Sequence, residues 1–319
     1  MIRTKKYLIK AICFIALFCL LDRGLSTALM NRFERLRSAG PAGLPKRVIL
    51  AKPNVIILGS SRAQHHFDPN IIAAATGLST FNAGRDGLRL PFARAISEIV
   101  LDHYVPQILV LEIGPADLIE QVHLLHAKRI VNIAPYMHQY PVIKDMLVYS
   151  DSNYRLKFLA RSYEFNSQLL YLAYDPFKTD LCPDSYVPLT GRLDPLDILR
   201  NDNPAPPLQI SSEAIRLLQE CIRLAKQKGT AVYVVTTPRW FPNHTYPDRE
   251  ARLVQLLRKI TTEAGAVYLD VSQETYPIFR NPELFCDELH LNSTGATIMS
   301  EIFAQELLKN TPAPKPTAH

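Results

Sequence analysis

Short apolar runs alternate with longer amphipathic segments along most of the chain. The apolar runs have the length of strands and cover residues 54–58, 79–82, 108–113, 231–236 and 267–271. The third run is apolar at nearly every position, as expected for a strand that is covered on both faces. The amphipathic segments have the length of helices and cover about residues 91–103, 211–228, 250–263 and 293–309. This alternation predicts a parallel sheet with helices on both sides.

The pattern predicts one three-layer α/β domain over residues 54–310, with about five parallel strands. Domains of this kind bind ligands at the carboxyl ends of the strands, where the strand order reverses. Residues 118–210 interrupt the alternation, because they hold eight of the 14 tyrosines and no clear strand pattern. We interpret them as a mainly helical insertion after the third strand, beside that edge of the sheet. Residues 311–319 are rich in proline, and we expect them to be disordered.

Basic residues are concentrated near the start of the chain. The formal net charge is +6, but residues 1–47 hold ten Lys/Arg and two Asp/Glu, so their net charge is +8 and that of the remainder is −2. A domain that binds nucleic acid needs its positive charge on the folded part. The charge distribution therefore argues against a nucleic-acid partner.

An apolar stretch over residues 7–21 follows the basic residues of the first six positions and is interrupted by Lys10. We interpret residues 1–30 as a single-pass membrane anchor, with the N-terminus cytoplasmic and the domain outside. A cleaved signal peptide that ends near Ala28 and a buried amphipathic helix are the alternatives. Residues 31–53 include a stretch rich in glycine and proline and are predicted to be a linker.

The five cysteines do not form a complete disulfide framework. Cys13 and Cys19 lie in the apolar stretch, which leaves three others in the domain. Three is an odd number, so at least one thiol stays unpaired. A single disulfide, such as one between Cys182 and Cys286, remains an alternative.

Two motifs far apart in the chain supply the parts of a serine nucleophile. An apolar run that ends in Gly-Ser-Ser, at 55–61, would deliver a hydroxyl to the carboxyl edge of the sheet. Asp287 and His290, three residues apart on a late loop, would supply a base and the carboxylate that orients it. Ser61 can also be explained as a capping hydroxyl on a strand-to-helix turn. Ser60 competes with it as the nucleophile, because successive residues on a turn point in different directions.

These motifs resemble the sequence blocks of the SGNH/GDSL hydrolase superfamily, and the resemblance extends over about residues 50–310. Where the family has Gly-Asp-Ser, this chain has Gly-Ser-Ser, which implies that Ser61 is the nucleophile. The Asp-x-x-His block is intact, which implies that His290 is the base and Asp287 its orienting carboxylate. The resemblance also implies a flavodoxin-like fold with the strand order 2-1-3-4-5.

Two further blocks concern the oxyanion hole. The stretch Asn-Ala-Gly-Arg-Asp-Gly at 82–87 resembles the second block and implies that Gly87 donates a backbone N–H, beside that of Ser61. The family's Gly-x-Asn-Asp is Gly-Pro-Ala-Asp at 114–117 in this chain. Ala116 therefore stands where an asparagine would complete the oxyanion hole.

The resemblance implies a serine-dependent esterase or acyltransferase that acts on acyl groups, O-acetyl above all, of cell-envelope glycans. The substrate would be an acylated glycan or a small ester, with a membrane O-acyltransferase as a further partner. No residue decides between hydrolysis and transfer. The alternative is a non-catalytic, membrane-anchored module of the same fold that binds glycan or an acyltransferase through its tyrosine-rich insertion.

No cofactor or metal ion is expected. His65 and His66 are adjacent and point apart, and a histidine pair three residues apart, such as His123 and His126, is usually a surface or packing feature. The chain has neither the G-x-S-x-G of α/β-hydrolases nor a phosphate-binding G-x-x-x-x-G-K-[ST].

Overall fold

The computed structural model describes five stretches of the chain, which are residues 2–35, 40–174, 185–194, 208–240 and 247–310. The tail 311–319 and Cys182, about which the sequence makes predictions, lie outside the described residues. Cys286, the other member of the open disulfide pair, carries a free thiol.

Five parallel strands form one sheet. They are β1 Val55–Leu58, β2 Thr80–Asn82, β3 Ile108–Glu112, β4 Ala231–Thr236 and β5 Val267–Asp270. All neighbouring pairs are parallel, and the strand order is β2-β1-β3-β4-β5. The predicted α/β class, the five strands and their order are confirmed.

Helices connect the strands and precede the first of them. The described helices are α1 Ile2–Glu34, α2 Gly40–Ala51, α3 Ser61–His66, α4 Pro69–Thr76, α5 Leu90–Leu101, α6 Glu120–Ala127, α7 Pro141–Ser150, α8 Tyr154–Lys157, α9 Leu169–Tyr174, α10 Ser212–Gln227, α11 Pro247–Glu263 and α12 Ser293–Asn310. The four long helices predicted from the sequence are α5, α10, α11 and α12. Residues 118–174 of the insertion consist mainly of helices and 3-10 turns, as predicted, whereas residues 185–194 form no helix.

Side chains of successive strand residues alternate between the two faces of the sheet. Val55 and Ile57 of β1 belong to one core cluster with Phe67, which follows α3, and Phe303 of α12. Helices α5 and α10 pack against each other, where Ser97 and Cys221 are both buried. Both faces of the central strands are thus covered, which explains why their sequences are almost wholly apolar.

The direction of chain progression reverses between β1 and β3. From β1 the chain passes to β2 on one side, and it then crosses back to β3 on the other side. A crevice opens at the carboxyl ends of two strands at such a reversal, and ligands of open α/β sheets bind there. Ser61 follows β1 at this point, and Glu112 ends β3.

The chain divides into two compact units. One comprises Met1–Leu44 and Ile130–Leu181, and the other comprises Pro45–Arg129 and Cys182–His319. The second unit contains the sheet. The predicted insertion is therefore divided, since its first residues and its last residues belong to the unit of the sheet.

Helix α1 makes polar contacts within the first unit. Asp22 is 8% exposed. Its carboxylate accepts the backbone N–H of Arg161 at 2.7 Å, and both the N–H and the hydroxyl of Ser162, at 3.0 and 2.6 Å. One turn further on, the Ser26 hydroxyl donates to Glu164 at 3.3 Å. This part of the helix is therefore built to pack against protein.

The described residues include no helix that is both long enough and apolar enough to cross a membrane. In α1 the uninterrupted apolar run is limited to residues 11–21, between Lys10 and Asp22, whereas a spanning helix needs about 20 apolar residues. The prediction that residues 1–30 are a membrane anchor is therefore wrong. The predicted single-pass location, with the domain outside the cytoplasmic membrane, is wrong with it.

Residues 40–51, predicted to be part of a linker, form helix α2. Pro45 lies inside this helix, where it removes one backbone hydrogen bond. Leu44 and Val48 are four residues apart and fully buried, and their burial stabilises the helix by more than that bond is worth. The linker prediction for residues 31–53 is wrong for this part.

Candidate active site

The candidate nucleophile lies where β1 ends and α3 begins. Gly59 has a φ of +156°, and a Cβ on it would lie 2.7 Å from the Cβ of Glu112 and 2.8 Å from that of Ala63. Only glycine fits this close approach of strand and helix. Ser60 caps α3, because its hydroxyl accepts a backbone N–H of the first turn at 3.3 Å. Ser61 is the first residue of the helix.

A chain of hydrogen bonds joins Ser61, His290 and Asp287. The Ser61 Oγ lies 2.7 Å from the His290 Nε2. The His290 Nδ1 lies 2.8 and 3.0 Å from the two carboxylate oxygens of Asp287. Because Nδ1–H donates to the carboxylate, Nε2 is free to accept the serine proton. The structure thus brings together all three residues predicted for catalysis, and Ser61, not Ser60, contacts the imidazole.

The Asp287 carboxylate also organises its own loop. Its Oδ1 accepts the backbone N–H groups of Leu289 and His290, at 2.8 and 2.9 Å. Partial burial opposes ionisation, but the hydrogen bonds from the His290 ring and from these N–H groups outweigh it and lower the pKa of Asp287. The carboxylate therefore stays ionised and keeps the imidazole in the orientation that faces Ser61.

His66 ties the helix of the nucleophile to the loop of the base. Its Nε2 accepts the backbone N–H of Leu291 at 3.0 Å, and its ring is fully buried. Burial above all holds the pKa of His66 well below its usual range, and the positive charge of Arg62 acts in the same direction. A neutral imidazole is the form that can accept this hydrogen bond. From the sequence, His66 is only one of two adjacent histidines for which no metal site is expected.

His65 lies on the same helix as His66, and its ring is beside that of the base. Its ring meets that of His290 edge to face, with the ring centroids 5.5 Å apart. Its Nδ1 lies 2.6 Å from the carbonyl oxygen of Val187, which comes from the insertion. Burial lowers the pKa of His65. A neutral ring of this kind donates from Nδ1 and presents Nε2 as an acceptor.

A buried carboxylate lies beneath the nucleophile turn. The Glu112 Oε2 accepts the backbone N–H and the hydroxyl of Ser60, at 3.1 and 2.8 Å, and its Oε1 lies 2.9 Å from Nη2 of Arg62. Arg62 is also 3.8 Å from Asp117, which pairs with Arg89. Burial opposes ionisation of Asp117, but the two arginines prevail and lower its pKa. No local sequence motif indicates this network.

Asn82 attaches the second block to α3. Its fully buried side chain donates to the carbonyl oxygens of Ala63 and Phe67, both at 2.7 Å, and accepts the N–H of Gly84 at 2.9 Å. A Cβ on Gly84 would lie 2.5 Å from the backbone nitrogen of Gln64. The asparagine and the first glycine of this block therefore position the loop against the helix of the nucleophile.

Gly87 follows on the same loop. The loop begins beside the nucleophile turn, because Arg85 donates its N–H to the Gly59 carbonyl at 3.1 Å. Gly87 has a φ of +66°, and a Cβ on it would collide with the Arg129 guanidinium. Its carbonyl oxygen lies 2.9 Å from the His126 Nδ1. It is the positive φ that favours glycine here, because the guanidinium is the end of a flexible side chain that can move aside. The role of Gly87 as an oxyanion donor stays a prediction.

The third block lacks a side-chain donor. Ala116 lies in a 3-10 turn over Pro115–Leu118, and its methyl group cannot donate a hydrogen bond. The space where a Gly114 side chain would lie is filled by the Arg62 guanidinium. Among the described residues, no group of three or more His, Cys, Asp and Glu side chains is arranged to hold a metal ion.

Comparisons with known proteins identify no family. No family model matches the chain. No curated protein matches it. One similar solved structure comes from Streptococcus pneumonia and is provisionally named a platelet activating factor; it shares 11% identity, covers 94% of this chain and 99% of its own, and has a TM-score of 0.43. So distant a likeness carries no functional argument, and function must be argued from the contacts above.

Proposed function

We propose that this protein is a serine-dependent esterase or acyltransferase of the SGNH/GDSL type. The observation that carries the proposal is the chain of hydrogen bonds from Ser61 through His290 to Asp287 at the reversal point of the sheet. A serine hydroxyl at its free pKa is a weak nucleophile and needs a base within hydrogen-bond reach. The 2.7 Å contact meets that requirement.

The proposed reaction proceeds in two halves. The Ser61 oxygen attacks the ester carbonyl carbon while the His290 Nε2 takes the hydroxyl proton. His290 then gives this proton to the departing alcohol, which leaves an acyl group on Ser61. In the second half an acceptor hydroxyl attacks the acyl carbon, His290 takes its proton and returns it to the Ser61 oxygen. Asp287 stabilises the imidazolium throughout.

Negative charge develops on the carbonyl oxygen during both attacks. The backbone N–H groups of Ser61 and Gly87 are the proposed donors to it. Loss of one oxyanion donor commonly lowers the rate about 100- to 1,000-fold. Because Ala116 supplies none, we expect slower turnover than in enzymes of the family that have an asparagine there.

The substrate class rests on the sequence resemblance. An O-acylated glycan, O-acetyl above all, is the proposed acyl donor. Hydrolysis and transfer share the first half of the reaction and differ only in whether water or a sugar hydroxyl accepts the acyl group. A membrane O-acyltransferase is the proposed partner.

Turnover of p-nitrophenyl acetate by the full-length protein tests the proposal. We expect the wild type to release p-nitrophenol and Ser61→Ala to fall to the background rate. Ser79→Ala is the matched control, since Ser79 lies immediately before β2, at the opposite edge of the sheet, and its hydroxyl contacts only Asn54. Equal rates for wild type and Ser61→Ala would overturn the proposal and favour a non-catalytic binding module.

A further inference from the structure

We propose that Glu112 is a positioning residue for the nucleophile, acting through both chain neighbours of Ser61. This inference rests on the function proposed above. Ser60 gives the Glu112 Oε2 two hydrogen bonds, at 3.1 and 2.8 Å, and Arg62 places Nη2 2.9 Å from Oε1. A single carboxylate therefore holds the residue before the nucleophile and the residue after it.

The sheet brings this carboxylate under the turn. Strands β1 and β3 are parallel neighbours, with Leu58 opposite Leu111, so Glu112 lies beside Gly59. A Cβ on Gly59 would lie 2.7 Å from the Glu112 Cβ and 2.9 Å from its carbonyl oxygen. Because Gly59 has no side chain, the backbone of the turn before Ser61 packs directly against Glu112.

Burial makes the contact a strong constraint. The Glu112 side chain is fully buried and that of Arg62 is 7% exposed. A buried carboxylate is stable only when it is paired and hydrogen-bonded. The Arg62 guanidinium is confined in turn, because it fills the space beside Gly114 and lies 3.8 Å from Asp117. The turn that carries Ser61 cannot shift without breaking these bonds.

The same contact explains why serine stands at position 60 where the family has aspartate. An aspartate there would bring a second carboxylate against Glu112 in a buried site, and two like charges so close repel each other strongly. Ser60 instead donates its hydroxyl proton to the carboxylate. Ser60 and Glu112 therefore form a matched pair.

The first test measures kcat and KM of Glu112→Gln with p-nitrophenyl acetate. A glutamine keeps the shape but loses the charge that fixes Ser60 and Arg62. A nucleophile displaced by about 1 Å can lose roughly 100-fold in rate, so we expect kcat to fall about 10- to 100-fold and KM to change less than about 3-fold. Arg94→Gln is the control, because Arg94 is also buried and its ion pairs are with Glu98 and Glu220, which do not belong to the site.

The second test moves the carboxylate from position 112 to position 60 by combining Ser60→Asp with Glu112→Gln. We expect Ser60→Asp to lower kcat about as much as Glu112→Gln does, and Ser60→Asp with Glu112→Gln to recover most of it, because the double variant removes the charge clash. Recovery of kcat is a result that general destabilisation of the fold would not give. Recovery of kcat in the double variant relative to Ser60→Asp supports the inference even if Glu112→Gln alone does not fold.

The outcomes separate this inference from the proposed function. A wild-type protein without serine-dependent turnover overturns the proposed function and the inference together. An active wild type with wild-type kcat in Glu112→Gln, or with no recovery in the double variant, overturns the inference alone.

Discussion

Asp287 matters to the site through the proton that it holds on the His290 Nδ1. An asparagine keeps the shape but presents an amide, which favours the wrong tautomer of the imidazole. Asp287 is 54% exposed, so water can replace part of its effect. We therefore expect Asp287→Asn to lower kcat about 100- to 1,000-fold, below the roughly 10,000-fold loss typical of a buried triad aspartate.

Steady-state kinetics with a p-nitrophenyl ester measure this loss. Glu288→Gln is the control, because it changes a neighbouring carboxylate on the same loop that does not contact the imidazole. If Asp287→Asn kept the wild-type kcat, the proposed role of the carboxylate would be wrong.

The residues of the site differ in how far the sequence could identify them. Asp287 and His290 lie within one short motif, and Ser61 ends an apolar run, but the family resemblance was needed to prefer Ser61 over Ser60. In the sequence, Glu112 is one polar residue in an apolar strand, and its partner Ser60 lies 52 residues earlier in the chain. His66 meets Leu291 across 225 residues. Contacts of that kind depend on which strands and helices become neighbours, which the chain order does not state.

At the scale of elements, burial decided which predictions succeeded. The strands were predicted within one or two residues because strands covered on both faces are apolar throughout. The stretch before β1 was mispredicted because proline and glycine suggested a linker. In the folded chain, buried Leu44 and Val48 make part of that stretch a helix.

The packing of α1 in the first unit predicts a dependence of stability on pH. Burial raises the pKa of Glu164 to about 7, against a hydrogen bond from Ser26 that lowers it. The other charged or titratable groups close to it are Asp22, His138 and Arg161. Between an unfolded-state pKa of about 4.3 and the folded value, the folded chain binds the proton more strongly. The stability of the fold should therefore fall as the pH rises through this window.

Glu164→Gln removes that titration. We expect its melting temperature, relative to wild type, to rise between pH 5 and pH 7.5 by an amount that corresponds to about 1–2 kcal/mol, at about 2–4 °C per kcal/mol. Thermal unfolding of the full-length protein at the two pH values measures it. Glu283→Gln, which removes an exposed carboxylate, should show no such change. A constant difference between Glu164→Gln and wild type would contradict the assignment.

At the scale of the whole molecule, strand order creates the site. The motif of the nucleophile and that of the base are separated by most of the chain, and the fold brings Ser61 and His290 together across 229 residues. The resemblance implied this order, and the sheet has it. What composition could not show is the role of the N-terminal stretch. Its hydrophobicity suggested a membrane anchor, whereas Asp22 and Ser26 pair with polar groups of the same unit.

The most direct test of the central claim is to locate the serine that reacts with a fluorophosphonate probe in the native, full-length protein. Mass spectrometry of the labelled peptide, which contains both Ser60 and Ser61, assigns the modified residue by fragmentation. We expect the label on Ser61, a much slower reaction in His290→Ala, and none after unfolding in urea, because only the folded chain brings the base to the hydroxyl. A label on Ser60, equal labelling of the unfolded chain, or no label on the native protein would contradict the account.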